Sequence, residues 1–150
     1  MAQSLARNLV HLIFSTKNRV PILRADIRPD LHGYIAGIFK NCESPAIIVG
    51  SVEDHLHALF VLSKNQPLSK VVEEVKRGSS KWLKTRGPDL ADFAWQNGYG
   101  AFSVSPSLME NVRRYIARQE EHHRKVTFQD EFREFCRRHG VDLDERYVWG

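Results

Sequence analysis

Apolar positions along the chain change period several times, and each change marks an element. Leu9 to Thr16 (LVHLIFST) is a β-rich apolar run ending at the polar Lys17-Asn18-Arg19, which predicts a first strand and a basic loop. After Pro21 and Pro29, Leu31, Tyr34, Ile35, Ile38 and Phe39 recur at helical spacing, predicting an amphipathic helix from Asp30; His32 falls off this stripe and reads as exposed. Ala46 to Val49 predicts a short second strand, joined through Gly50–Asp54 to a third strand beginning at His55, as a hairpin. Beyond Pro67, Leu68, Val71, Val72, Val75, Ser79 and Trp82 trace a second helix that Gly87-Pro88 ends. Gly78-Ser79-Ser80 within it weakens the helix but permits close approach of another backbone. Trp95 to Ser105 reads as a fourth strand. Ser105-Pro106, followed by a Ser107/Glu110 capping box, starts a third helix. Thr127 and Asp130 cap a last one carrying Phe128, Phe132, Phe135, Cys136 and His139 and closed by Gly140.

The order β-α-β-β-α-β with two further helices predicts an α+β, ferredoxin-like antiparallel sheet with helices on one face. Residues 1–150 read as a single domain, with a core over about 9–125 and a C-terminal helix and tail over 126–150. A hydrophobic content of 42% allows an ordinary globular core. Cys42 and Cys136 are too few and too far apart for a disulfide framework or a thiolate metal site, and read as buried thiols. The longest early apolar run, Leu9–Phe14, is interrupted by His11, so the expectation is a soluble, cytoplasmic protein with no membrane partner. The net charge of +4 matters for its distribution: Lys17/Arg19/Arg24/Arg28, Lys76/Arg77/Lys81/Lys84/Arg86 and Arg113/Arg114/Arg118/Arg124/Lys125 form three clusters suited to a polyanion.

The chemistry gathers at Glu53-Asp54-His55-Leu56-His57-Ala58-Leu59-Phe60-Val61-Leu62. In a strand His55 and His57 share one face while Leu56, Ala58, Phe60 and Leu62 take the other, so two imidazoles sit where packing would favour carbon. Such a pair can hold a metal ion. In the helical segment from Glu110 to Gln119, Tyr115 and Gln119 stack four residues apart, a phenol and a carboxamide able to face the imidazoles. Two imidazoles and one carboxamide oxygen leave coordination positions open, as a Lewis-acid site requires. A tyrosine attacking a phosphodiester would conserve the bond energy for rejoining, which suits strand transfer more than hydrolysis. Adjacent His122 and His123 diverge around a helix and read as outside the site; Glu53 and Asp54 read either as a solvated turn or as groups supporting the metal ligands. Trp95 reads as a packing residue ahead of a base-stacking one.

His55-Leu56-His57 with Tyr115-x-x-x-Gln119, together with Leu12–Arg19, Ser79–Trp82 and Trp95–Gly100, resembles the HUH single-tyrosine transposases of the insertion-sequence-200-like family over about residues 9–125. The resemblance implies a DNA transposase that cleaves and rejoins single strands through a 5′-phosphotyrosine, with Tyr115 as nucleophile and His55, His57 and Gln119 holding Mg2+ or Mn2+. It further implies single-stranded DNA with hairpin ends as partner, and a homodimer in which the Tyr helix of one subunit can serve the His pair of the other. Lys17, Arg19, Lys76, Arg77, Lys81 and Arg118 are the candidate DNA contacts. The alternative is a non-catalytic or domesticated hairpin-binding module on the same framework; a metal-dependent phosphohydrolase would need no tyrosine. No run of the RNA-recognition-motif type lies on a strand.

Overall fold

Alternation along Asn8–Ser15 (β1) sends Val10, Leu12 and Phe14 to one side and His11, Ile13 and Ser15 to the other. β1 pairs antiparallel with His55–Leu62 (β3) on one flank and Gly100–Val104 (β4) on the other. Ala46–Ser51 (β2) adds an edge to β3, giving a four-stranded sheet in the order β2-β3-β1-β4. That order and the all-antiparallel pairing are the expected ferredoxin-like arrangement. The computed structural model describes residues 2–123 and 125–150; Arg124, counted above in the third basic cluster, lies outside them.

Two helices, Arg28–Asn41 (α1) and Leu68–Leu83 (α2), cover the first face, where Leu31, Ile35, Phe39, Val71 and Val75 pack on Leu12, Phe14, Leu56 and Phe60. α2 runs unbroken through Gly78, and a Cβ there would meet Ile38 Cδ1 at 2.8 Å, so the glycine permits close helix approach. Ser79 is accommodated by donating to the Val75 carbonyl at 2.6 Å and accepting from Trp95 Nε1 at 2.9 Å. Trp95 is accordingly a packing residue, edge-on to Phe14 and Phe93.

Several boundaries differ from expectation. The fourth strand is only Gly100–Val104; Trp95 contributes a single bridge to Thr16 before the chain turns at Asn97-Gly98. The Ser107/Glu110 box does not form, and a 3-10 turn over Pro106–Leu108 leads into Met109–Ala117 (α3). α3 stops at Ala117, Arg118 leaves helical geometry (φ −104°, ψ 24°), and a short helix, Gln119–His122 (α4), follows. The last helix, Phe128–Arg138 (α5), starts as the sequence predicts, with Thr127 Oγ1 accepting from the Asp130 amide at 3.1 Å, and Gly140 follows in the left-handed region (φ +65°). His139 does more than sit at the helix end, its ring stacking on Phe102 at 4.7 Å. Cys136 is buried as expected, whereas Cys42 is only partly so.

Helices do not lie on one face alone. Ile13 and Phe102 on the second face are covered by Phe128, Phe132 and Cys136 of α5. α3 lies against β2 and β3. Gly50 in β2 makes this possible, since a Cβ there would stand 2.8 Å from Ile116 Cγ2 and 2.9 Å from the Ile116 carbonyl oxygen. The sheet is thereby enclosed between two helical layers, and the second is the one that meets the histidines. Among the described residues no helix is long and apolar enough to cross a membrane.

Candidate metal and nucleophile site

Because β3 alternates, His55 and His57 emerge together on the second face, both fully buried there. Residues from the C-terminal helices meet them. His57 Nε2 lies 2.8 Å and His55 Nε2 3.6 Å from Glu131 Oε1, and His123 Nε2 lies 3.0 Å from Glu131 Oε2. His55 and His123 approach each other directly, Nε2 to Nε2, at 2.9 Å. The donor atoms of His55, His57, His123 and Glu131 all fall within 4.8 Å of one another, a group able to hold a metal ion.

Each imidazole is oriented from behind. Asp54 Oδ1 stands 2.7 Å from His55 Nδ1, the Val126 carbonyl 2.6 Å from His123 Nδ1, and His11 Nε2 2.8 Å from His57 Nδ1. The carboxylate and the carbonyl can only accept, so His55 and His123 each carry a proton on Nδ1 and turn Nε2 inward; burial would lower His123, but the Glu131 carboxylate outweighs it and raises the ring above its ordinary value. Of the two readings given for Asp54, the supporting one is therefore observed. Burial alone would raise the Glu131 carboxyl, but the His57, His123 and His55 imidazoles outweigh it and hold the group far below the usual carboxylate range. Burial and neighbouring imidazoles keep His57 and His11 below their ordinary values, against the pull of Glu131.

Tyr115 reaches this cluster from α3. Its hydroxyl donates to Glu131 Oε2 and lies 2.9 Å from His122 Nε2, and its ring centre is 5.9 Å from that of His57 in the same chain. Burial first, and the Glu131 carboxylate second, push the phenol above its usual range, so it stays protonated at neutral pH. Gln119 is buried; its amide donates to the Tyr115 carbonyl at 3.2 Å, while its Oε1 is buried without a partner among the described residues.

The sequence reading set His122 and His123 aside as diverging around a helix, and both belong to the site. His122 ends α4 and His123 caps it, so the backbone turns between them and presents one ring to Tyr115 and the other to His55. Glu131 and His11 were missed altogether. Glu131 falls on the inward face of α5 with Phe128, Phe132 and Cys136, a helical spacing that the sequence carries.

Tyr115 opens on a cleft of about 520 Å3 whose walls carry Arg114, Arg118 and Lys125 against the single acid Glu121. Of the expected DNA contacts, Arg118 is therefore at the site. Arg77 and Lys81 are not: they are exposed on α2, across the sheet from the histidines, and Arg77 is paired with Glu73 and Glu74. Lys76 is bound internally, its ammonium donating to the carbonyls of Gln96, Asn97 and Gly98 at 2.6, 3.2 and 2.8 Å, and burial lowers it to about 8. Lys17 is exposed on the loop after β1, whereas Arg19 donates to the Trp149 carbonyl at 3.0 Å.

Comparison with known proteins agrees with this fold. The family model described as "Transposase IS200 like" matches residues 4–119. A solved structure of a candidate transposase from Deinococcus radiodurans R1 superposes with a TM-score of 0.62 at 19% identity, covering 79% of this chain and 98% of that one. A REP-associated tyrosine transposase, solved bound to a REP hairpin, superposes with a TM-score of 0.61 at 13% identity, covering 84% of this chain and 74% of the other. Among curated proteins no match is found.

Proposed function

Since the chain belongs to the IS200-like transposase family, we propose that it cleaves and rejoins single-stranded DNA with Tyr115 as the nucleophile. The observation that carries this reading is the Tyr115 hydroxyl, held between Glu131 and His122 beside the paired strand histidines and facing a basic cleft. The Tyr115 oxygen attacks phosphorus, the bond to the 3′ oxygen breaks, and the products are a 5′-phosphotyrosine and a free 3′-hydroxyl. The phenolic proton needs an acceptor: the hydroxyl donates to Glu131 Oε2, and once it turns from there, His122 Nε2 at 2.9 Å, which also faces the cleft and is lowered chiefly by burial, would take it. Arg114, Arg118 and Lys125 hold the phosphates of the strand.

The family implies a divalent ion, and the residues present fit one: the inward Nε2 atoms of His55 and His123, the buried Glu131 carboxylate, and the Gln119 Oε1, unpartnered among the described residues, are donors that a cation would satisfy. When bound, it supplies charge neutralisation at the attacked phosphate. His55 and His57 would hold it from the strand, and Asp54 and His11 keep those rings in place. Hairpin recognition, as in the neighbour solved with a REP hairpin, and a homodimer complete the reading. Tyr115 is beside the histidines of its own chain, so this reading pairs them within one subunit in place of the shared arrangement.

The test is a covalent adduct between the protein and a single-stranded hairpin substrate, resolved on a denaturing gel. Wild type should form it; Tyr115→Phe should bind the same DNA and form none. His122→Ala should slow adduct formation by about 100-fold, the usual worth of a positioned proton acceptor. An adduct of full yield with Tyr115→Phe would remove Tyr115 from the role, and tight binding without any adduct in wild type would favour the non-catalytic module.

A further inference from the structure

We infer that a second cavity flanking Tyr115 is a pocket for a single nucleobase next to the attacked phosphate, with a preference for bases that carry an exocyclic amine. The inference rests on the Tyr115 reading above and deepens it by naming a site of substrate specificity.

The first argument is continuity. The cavity, of about 480 Å3, shares Asn111, Tyr115 and His122 with the basic cleft, so one phenol borders both. Along α3, Arg114 falls on one flank of Tyr115 and Val112 on the other, which sends the cleft and the cavity to different sides of the same side chain. A strand whose phosphate lies at the Tyr115 oxygen therefore has an adjoining base within reach of the second space. Size agrees, since small-ligand pockets span about 300–1,000 Å3.

Charge is the second argument. Where the cleft has Arg114, Arg118 and Lys125, the cavity has Asp130 and Glu134 in addition to Glu131, and its cation, Arg138, is paired with Glu134 at 3.0 Å. Arg133 and Arg137, which also pair with these two acids, are not among its walls. Carboxylates at the walls repel a phosphate, so the sugar–phosphate chain belongs in the cleft and a neutral group in the cavity. The third argument is wall chemistry. Leu108, Val112 and Phe135 supply apolar surface, and Phe135, only partly buried, stands edge-on to His11 and Tyr115 with ring centres 4.9 and 5.8 Å away. An aromatic wall suits the face of a base. Carboxylates accept and cannot donate, so Asp130 and Glu134 favour an edge with an amine over one with a carbonyl. Cytosine and uracil differ in just that group.

The full chain, with its leucine and valine methyls isotopically labelled and no divalent ion added, is titrated with single-stranded pentamers of deoxycytidine and of deoxyuridine and followed by NMR. The Leu108 and Val112 methyl resonances should move and saturate, as the ring current of a base in the cavity requires, and deoxycytidine should bind at least ~5-fold tighter. Asp130→Asn combined with Glu134→Gln should cut that preference below ~2-fold, because an amide can also donate to a carbonyl. Val112→Trp, which fills the cavity, should leave the Leu108 methyls unmoved by either pentamer. Unmoved Leu108 and Val112 methyls in the wild-type protein, or equal affinity for the two pentamers, would overturn the inference, and neither result depends on a variant that has to fold. A wild-type adduct with unmoved methyls would refute the base pocket alone; moved methyls without an adduct would refute the nucleophile alone.

Discussion

His32 shows how much a single side chain can depend on context that its sequence neighbours do not record. Placed off the apolar stripe of α1, it reads as exposed, yet its Nε2 lies 2.6 Å from Ser51 Oγ at the edge of the sheet. Burial, aided by the Arg28 charge, lowers it from its ordinary value to about 4. The unfolded chain therefore binds a proton between about pH 6.5 and 4 that the folded chain refuses, so this group removes stability as pH falls through that window and none above it. Melting temperatures of wild type and His32→Gln followed from pH 7 to 4 should converge or cross toward acid, with wild type losing more. Parallel curves would mean that His32 titrates normally in the folded protein. Tyr115, His55 and His57 were legible at this scale because a two-residue strand period and a four-residue helix period leave only one face for each. Glu131 falls on the same helical stripe as Phe128, Phe132 and Cys136, but that spacing does not say which part of the chain the stripe meets.

At the scale of elements, the strands and the first two helices could be read from periodicity, whereas the C-terminal helices could be located but not placed. Their docking on the second face depends on contacts between Ile13 or Phe102 and residues more than twenty positions later, and no local pattern encodes such pairing. The break at Arg118 was similarly hidden, since helix propensity through Glu110–His122 is continuous while the geometry is not. α5 carries Glu131 to the site, and its start is secured by the Thr127 cap. Thr127→Ala should lower global stability by about 1 kcal/mol, measured by urea unfolding, and should weaken the hold on Glu131 without touching β3. No change in the unfolding midpoint would show that packing of Phe128 and Phe132 alone fixes the helix.

For the whole molecule, the proposed function makes charge asymmetry predict which side would meet DNA. On α2, Lys70 and Arg77 are paired, Lys76 is turned inward and Lys81 is exposed across the sheet from the histidines, whereas the cleft at Tyr115 collects Arg114, Arg118 and Lys125. Three phosphate contacts on a single strand predict a slope of about −2 for log K against log salt, roughly 0.7 per contact. Arg114→Gln with Arg118→Gln should flatten it by about 1.4, and Lys81→Gln should not alter it. An unchanged slope in the double variant would move the DNA path off this cleft. Net charge alone, at +4, carried no such direction.

Gly50 gives Tyr115 a mechanical stop. α3 rests on the bare backbone of β2, with clearance for a hydrogen but not for a methyl group against the Ile116 side chain and carbonyl, at 2.8 and 2.9 Å. Tyr115 is the adjoining residue, so the seating depth of its oxygen is set by what is missing from an edge strand on a different segment of the chain. Gly50→Ala should leave the sheet intact yet lift α3 by a few tenths of an ångström, costing about 10-fold in adduct rate where a full ångström costs about 100-fold. A rate equal to wild type would show that α3 slides on β2 without carrying the phenol with it.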